Sequence, residues 1–173
     1  GTVELWAKPG TLTMPDGVEV NVWGFSASET LPPTVPGPVI SADAGTELTI
    51  TLHNTLGEDV SLAFPGFDGL VPDTVGAAPG GSVTYQVTLG APGTFLYEAG
   101  LTEGGARQAA MGLYGVLVVE DPAVVPEPLD QERILVLSEI DPALTMVQVQ
   151  AAGTSAKPRV GPSIDRPLPA AAR

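Results

Sequence analysis

Residues 46–53 read Thr-Glu-Leu-Thr-Ile-Thr-Leu-His, and this short stretch decides the fold class. Leu48, Ile50 and Leu52 alternate with polar residues, the last of which is His53. Successive side chains of a β-strand point to opposite sides, so the three aliphatic residues face one way while the threonines and His53 face the other. The stretch therefore predicts a half-buried strand with one apolar and one polar face.

Similar short runs recur on both sides of this strand, separated by turns rich in glycine and proline. Pro15-Asp16-Gly17 predicts a hairpin turn, because glycine tolerates the positive φ that such a turn needs. About eight short strands with no helix of any length predict an all-β sandwich of two sheets. The predicted strands are residues 3–8, 11–14, 18–25, 46–53, 60–64, 82–89, 94–98 and 113–120.

The distribution of glycine, proline and apolar runs also predicts the domain organisation. We assign residues 1–121 to the sandwich domain and residues 122–142 to a proline-rich linker with one additional strand, residues 133–139. The alternating pattern weakens after that strand. Residues 143–173 are interpreted as an extended tail, or as the start of a truncated second domain.

The composition limits the partners that the chain can have. Its 173 residues include 20 acidic and 7 basic side chains, a formal net charge of −13. Lysine and arginine supply most nucleic-acid affinity by neutralising phosphates, so a nucleic-acid partner is excluded. The chain has no cysteine, which excludes thiol catalysis. No apolar run approaches the roughly 18 residues that cross a bilayer, and the first residues lack the pattern of a signal peptide.

Three stretches, in this order, carry a resemblance to a known family. The first is residues 35–48, which contain VPGPVI and AGTEL, and the second is residues 53–66, which contain HNTL and SLAFPG. The third joins GTFLYEAG, residues 93–100, to MGLYGVLVV, residues 111–119. Together they resemble the first domain of multicopper oxidases, and residues 136–142 resemble the segment that follows that domain. The resemblance implies a cupredoxin-like Greek-key β-sandwich.

The departures from the family pattern concern its copper ligands. Where the family has four histidines, this chain has Ala63, Pro65, Glu98 and Gly100. Alanine, proline and glycine supply no side-chain donor, and a lone carboxylate is a hard ligand that replaces imidazoles poorly. A blue-copper site needs a cysteine and two histidines, whereas this chain has no cysteine and one histidine. We therefore expect no metal site, no cofactor and no catalytic residue.

Two charged residues form a structural hypothesis. Glu98 stands at a former copper position, and Arg107 is the only basic residue between Lys8 and Arg133. A buried carboxylate without a partner is costly, so we predict an ion pair between Glu98 and Arg107. His53 is interpreted as a residue of the polar strand face.

The function that follows is a copper-free, non-catalytic cupredoxin module that packs against another cupredoxin domain or within a homo-oligomer. One alternative is a part of a copper-dependent oxidoreductase whose copper sites lie in a missing domain or partner. A second alternative is an extracellular ligand-binding β-sandwich, which predicts a concave site on the loops of residues 65–81 and 100–110. Family analogy implies an extracytoplasmic location, either periplasmic or secreted.

Overall fold

A computed structural model describes residues 1–67, 70–124 and 133–140, and it contains two four-stranded sheets. The first sheet has the strand order β2-β1-β4-β6, and the second has the order β3-β8-β7-β5. The predicted all-β sandwich is confirmed. The elements are β1 (Thr2–Thr13), β2 (Glu19–Ser26), β3 (Ile40–Asp43), β4 (Glu47–Asn54), β5 (Leu62–Ala63), β6 (Ser82–Thr88), β7 (Gly93–Ala99), α1 (Gly105–Ala110) and β8 (Tyr114–Glu120).

The apolar faces of the two sheets form one core. On β4, the predicted apolar face is fully buried at Leu48, Ile50 and Leu52. The second sheet meets it with Tyr97 on β7 and Leu117 on β8, both without solvent exposure. Burying a large apolar side chain stabilises the fold by about 1.5–3 kcal/mol, so this seam is the main source of stability.

The first strand is longer than the sequence pattern predicts. Residues Pro9 and Gly10 were predicted to end a strand, but β1 continues through them to Thr13. Strand β1 pairs with β4 only as far as Ala7, and beyond that residue it pairs with β2 alone. A proline lacks an N–H group and is tolerated where one side of a strand has no neighbour. The two predicted runs are therefore one strand.

Two further elements differ from the prediction. Strand β3 was not predicted, because its four residues are too few to produce a clear alternation. The prediction that the sandwich contains no helix is wrong, since α1 occupies Gly105–Ala110. By contrast, the turn at residues 15–17 is confirmed. Gly17 has a φ of 85°, and its N–H donates to the Met14 carbonyl at 2.8 Å.

The linker strand predicted at residues 133–139 is not formed. Residues 133–140 have no regular secondary structure, and Leu135 and Leu137 are 83% and 97% exposed. An alternating apolar run becomes a strand only when it pairs with a neighbouring strand, and no such pairing exists in the described residues. The rest of the predicted linker, residues 125–132 and 141–142, and the predicted tail at 143–173 lie outside the described residues. Within the described residues, no helix is long and apolar enough to span a bilayer.

Candidate functional site

The four positions that the resemblance aligns with copper ligands lie around the short strand β5. Ala63 on β5 stands directly opposite Glu98 on β7, and Leu62 stands opposite Ala99. Leu62 and Ala99 are buried in the core, so Ala63 and Glu98 project from the outer face of the second sheet. The Gly100 N–H donates to the Ser61 carbonyl at 2.8 Å, which continues this pairing by one residue.

These positions offer one side-chain donor group. Pro65 lies in an exposed turn after β5, and Ala63 and Gly100 carry no donor atom. The carboxylate of Glu98 is half-buried and makes no hydrogen bond or ion pair with any described residue. Across residues 1–67, 70–124 and 133–140, no group of three or more histidine, cysteine or acidic residues could hold a metal ion.

Gly100 has no room for any side chain. A Cβ atom built on this residue would collide with the Ser61 hydroxyl and lie 3.0 Å from the backbone of Leu62. Ser61 itself is fully buried, and its hydroxyl donates to the carbonyl of Asp73 at 2.9 Å. Because the neighbouring atoms belong to backbone and to an anchored side chain, an imidazole cannot enter without a shift of β5.

A polar network holds this end of β5 in place. The Tyr85 hydroxyl donates to the Asp73 carboxylate at 2.8 Å and accepts the Leu62 N–H at 3.1 Å. Burial raises the pKa of Asp73, but hydrogen bonds from the Gly76 N–H, the Tyr85 hydroxyl and the Val75 N–H outweigh it, so its pKa is lowered. Burial and the adjacent Asp73 carboxylate raise the pKa of Tyr85. At neutral pH, the ionised Asp73 carboxylate and the neutral Tyr85 hydroxyl therefore hold β5 in place together.

The predicted ion pair between Glu98 and Arg107 is wrong. The Arg107 guanidinium pairs with the Glu58 carboxylate, which lies on the loop between β4 and β5. Gln108 donates to the same carboxylate at 2.8 Å. Glu98 stays on a solvent-accessible sheet face, where hydration replaces a partner, and α1 carries Arg107 toward the other loop.

This ion pair borders a cleft that lies partly on the loops of residues 65–81 and 100–110, where the ligand-binding alternative predicts a concave site, and partly on residues 57–59, which that alternative does not include. The cleft has a volume of about 570 Å³, and its lining includes Glu58, Asp59, Thr102, Glu103 and Arg107. The Arg107 guanidinium also lies 5.4 Å from the ring centre of Trp23, an attractive cation–π distance. In the sequence, the isolation of Arg107 in an acidic region indicates an ion pair. The fold is needed to choose its carboxylate partner.

His53 lies on β4 in the first sheet, whereas Ala63 and Glu98 lie in the second sheet. Its Nε2 atom is 2.5 Å from the Glu4 carboxylate, and its ring stacks on Trp6 with a centroid distance of 4.5 Å. The position on the polar face of β4 agrees with the prediction. Its side chain is half-buried against Trp6, a contact that the alternation alone could not predict.

The outer face of the second sheet also carries apolar side chains. Val39 and Leu96 are exposed on this side, and Ile134 borders a hollow of about 420 Å³ together with Val39 and Val118. The Tyr114 hydroxyl donates to Ser138 Oγ at 2.5 Å, so residues 133–140 run along β8. This outer face, with Ala63 and Glu98 at one edge, is the candidate functional surface.

Two mixed four-stranded sheets around one core define a cupredoxin-type domain. A sequence profile described as multicopper oxidase matches residues 8–124. That match covers more than half of the chain, and the chain belongs to the multicopper oxidase family.

Three similar proteins illustrate the relationship. The chain is 34% identical over 145 residues to a probable nitrite reductase-hydroxylamine oxidoreductase fusion protein of Kuenenia stuttgartiensis, covering 77% of this chain and 17% of that protein. It is 34% identical over 112 residues to multicopper oxidase MmcO of Mycobacterium tuberculosis, covering 61% and 21%. The solved copper nitrite reductase from Nitrosomonas europaea aligns with a TM-score of 0.62 and 26% identity, covering 73% and 44%. The chain thus spans less than half the length of each of these proteins.

Proposed function

We propose that this chain is a copper-free, non-catalytic cupredoxin module that packs against another cupredoxin domain or a second copy. The observation that carries the proposal is the closed position at Gly100, where Ser61 and the Leu62 backbone occupy the space of a side chain. Redox copper in this family pattern requires imidazoles at that position and at Ala63, Pro65 and Glu98. The residues present do not fit copper, so no redox step is assigned to them.

The packing role is supported by the apolar surface beside those positions. Val39 and Leu96 project from the outer face of the second sheet, and Leu135 and Leu137 are exposed on the segment that follows it. Exposed apolar side chains gathered on one face favour a protein interface. The net charge of −13 makes two copies of the chain repel each other, so their association requires an apolar contact that outweighs this repulsion.

Because the relatives are oxidoreductases, the proposal that this chain is non-catalytic is tested by measuring oxidase activity directly. The experiment measures oxygen uptake by the chain in copper-supplemented buffer with a phenolic reductant. We expect the rate to equal that of buffer with the same copper and no protein. A protein-dependent rate would favour the alternative, in which this chain completes a copper oxidoreductase.

The packing role is tested by sedimentation velocity over a wide range of protein concentration. We expect concentration-dependent association that is weakened in the double variant Leu135→Ser with Leu137→Ser. The matched control is Val71→Ser with Val75→Ser, which replaces two strongly exposed valines on a different loop and should leave association unchanged. A monomer at every concentration would contradict packing against a second copy and would leave another cupredoxin domain as the partner. We place the module outside the cytoplasm by analogy with the family.

A further inference from the structure

The segment that follows the sandwich lies across the outer face of the second sheet. Ile134 borders the same hollow as Val118, and the Tyr114 hydroxyl donates to Ser138 Oγ at 2.5 Å. Residues 134 and 138 are as far apart in sequence as the two residues of β8 that they meet, so the segment is extended and runs antiparallel to β8. Because side chains alternate along an extended segment, its odd-numbered residues face away from the sheet.

Four side chains form this outward strip: Arg133, Leu135, Leu137 and Glu139. All four are exposed, with Leu135 at 83% and Leu137 at 97%. Val136, which lies between the two leucines and faces the sheet, is half-buried. The exposure therefore follows the alternation, and the strip presents two adjacent apolar side chains between a basic end and an acidic end. Apolar side chains gathered in this way favour a protein contact.

The strip is complementary to itself. If a second copy lies antiparallel to it, with Val136 at the centre, Arg133 faces Glu139 of the second copy at one end and the reverse pair forms at the other end. Leu135 then faces Leu137 at both central positions. A parallel arrangement would oppose arginine with arginine and glutamate with glutamate, which is repulsive. A two-fold axis through the centre of the strip generates the antiparallel arrangement, and the contact is the same on both copies.

We propose that the outward strip is the contact between two copies of this chain, antiparallel and centred on Val136, with leucines in the middle and an ion pair at each end. The inference rests on the proposed packing function and adds to it the partner and the register of the contact. The partner is a second copy because this chain itself supplies an acid and a base at the matching spacing. Interfaces this narrow are weak, so we expect a dimer that dissociates on dilution.

Reversal of the terminal charges tests the register. Arg133→Glu and Glu139→Arg should each raise the dissociation constant of the dimer roughly tenfold, because each change makes both ends of the contact repulsive. The double variant Arg133→Glu with Glu139→Arg restores opposite charges at both ends. Its dissociation constant should return to within about threefold of the wild-type value. Sedimentation velocity at one fixed ionic strength measures all four proteins.

The effect of net charge is separated from the effect of register. Arg133→Glu makes the chain more negative and Glu139→Arg makes it less negative, so general repulsion predicts opposite effects on association. The register predicts that both variants associate more weakly. Glu19→Arg is the matched control for Glu139→Arg, because Glu19 is exposed on β2 in the first sheet. This control should not weaken association.

A mixture of the two single variants provides the sharpest comparison. A mixed dimer of Arg133→Glu with Glu139→Arg has opposite charges at both ends, whereas each variant alone opposes like charges. The mixed dimer should therefore be the main dimer in an equimolar mixture. Native mass spectrometry distinguishes it from the two homodimers, because the substitutions change the chain mass in opposite directions.

Unchanged association in both single variants, or a mixture without preference for the mixed dimer, would overturn the inference. If the wild type still associates in that case, the packing function stands and its contact lies elsewhere. A wild type that is monomeric at every concentration would also overturn the inference, and it would leave another cupredoxin domain as the partner in the proposed function.

Discussion

Ala63 lies directly opposite Glu98 where strand β5 pairs with strand β7, and both side chains project from the same sheet face. Cβ atoms of directly opposed residues are about 4.5–5.5 Å apart, which allows two imidazoles to reach one metal ion. The backbone arrangement for a shared metal is therefore present at this pair, while the ligand side chains are not.

The double variant Ala63→His with Glu98→His should bind Cu²⁺ at about one ion per chain, because two imidazoles on neighbouring strands face one way. Electron paramagnetic resonance with nitrogen hyperfine structure measures this directly. Each single variant serves as a control and should retain far less copper after desalting. A double variant that binds no better than the single ones would show that the two positions do not share a face.

Replacing Glu58 by glutamine should lower the free energy of unfolding by about 1–2 kcal/mol. The change weakens a charge-assisted bond from Arg107 and one from Gln108, and the loss is small because solvent screens this partly exposed ion pair. The matched substitution Glu98→Gln should change the value by less than about 0.5 kcal/mol. Urea denaturation measures both. A larger effect at Glu98 than at Glu58 would reinstate the original pairing hypothesis.

Alanine at Gly100 should destabilise the fold by about 1–3 kcal/mol, since its Cβ has to displace Ser61 or the backbone of Leu62. Gly90 provides the control, because a Cβ built there meets nothing within 4 Å. Gly90→Ala should be neutral or slightly stabilising. Thermal unfolding of the Gly100→Ala and Gly90→Ala variants measures the two effects. Equal melting temperatures would mean that the space beside Gly100 is open enough for a side chain.

The sandwich could be predicted because residues close together in the sequence determine each of its strands and turns. The alternation of Leu48, Ile50 and Leu52 fixes a face for β4, and the glycine of the 15–17 turn fixes a hairpin. The length of β1 could not be predicted in this way. It depends on whether β4 still lies beside Pro9, which is a property of the assembled sheet.

The candidate site was predictable in part for the same reason. The spacing of Ala63 and Glu98 within their strands places them on the outer face, but their direct opposition depends on the register between β5 and β7. The choice of Glu58 as the partner of Arg107 required the position of α1, a six-residue helix with too little periodicity to detect. The loops of residues 65–81 and 100–110 were predicted to form a concave site, but the contribution of Glu58 and Asp59 to the cleft required the fold.

Stability should fall at low pH through Asp73. Its pKa is lowered in the folded state, so the folded state favours the carboxylate relative to the unfolded chain. The resulting stabilisation is complete above the ordinary value of 3.8 and is lost as the pH falls below it toward the folded pKa. Urea unfolding of the wild type and Asp73→Asn, compared at about pH 7 and about pH 3, measures the contribution.

We expect the difference between the two proteins to shrink at the lower pH. Tyr85→Phe, which removes the hydroxyl bonded to Asp73, should remove part of the pH dependence. It should also cost about 1–3 kcal/mol at neutral pH, because the Leu62 N–H loses its buried acceptor. A difference between wild type and Asp73→Asn that does not vary with pH would contradict the assigned role of Asp73.

The copper content of the wild-type chain is the most direct measurement. The protein is loaded with excess Cu²⁺, desalted and analysed by mass spectrometry of the metal and by electron paramagnetic resonance, with His53→Ala as the control for the single imidazole. The account predicts well below one copper per chain, roughly a tenth or less, since the chain offers no set of imidazole or thiolate donors. Copper that is retained at one ion per chain in both the wild type and His53→Ala would contradict it.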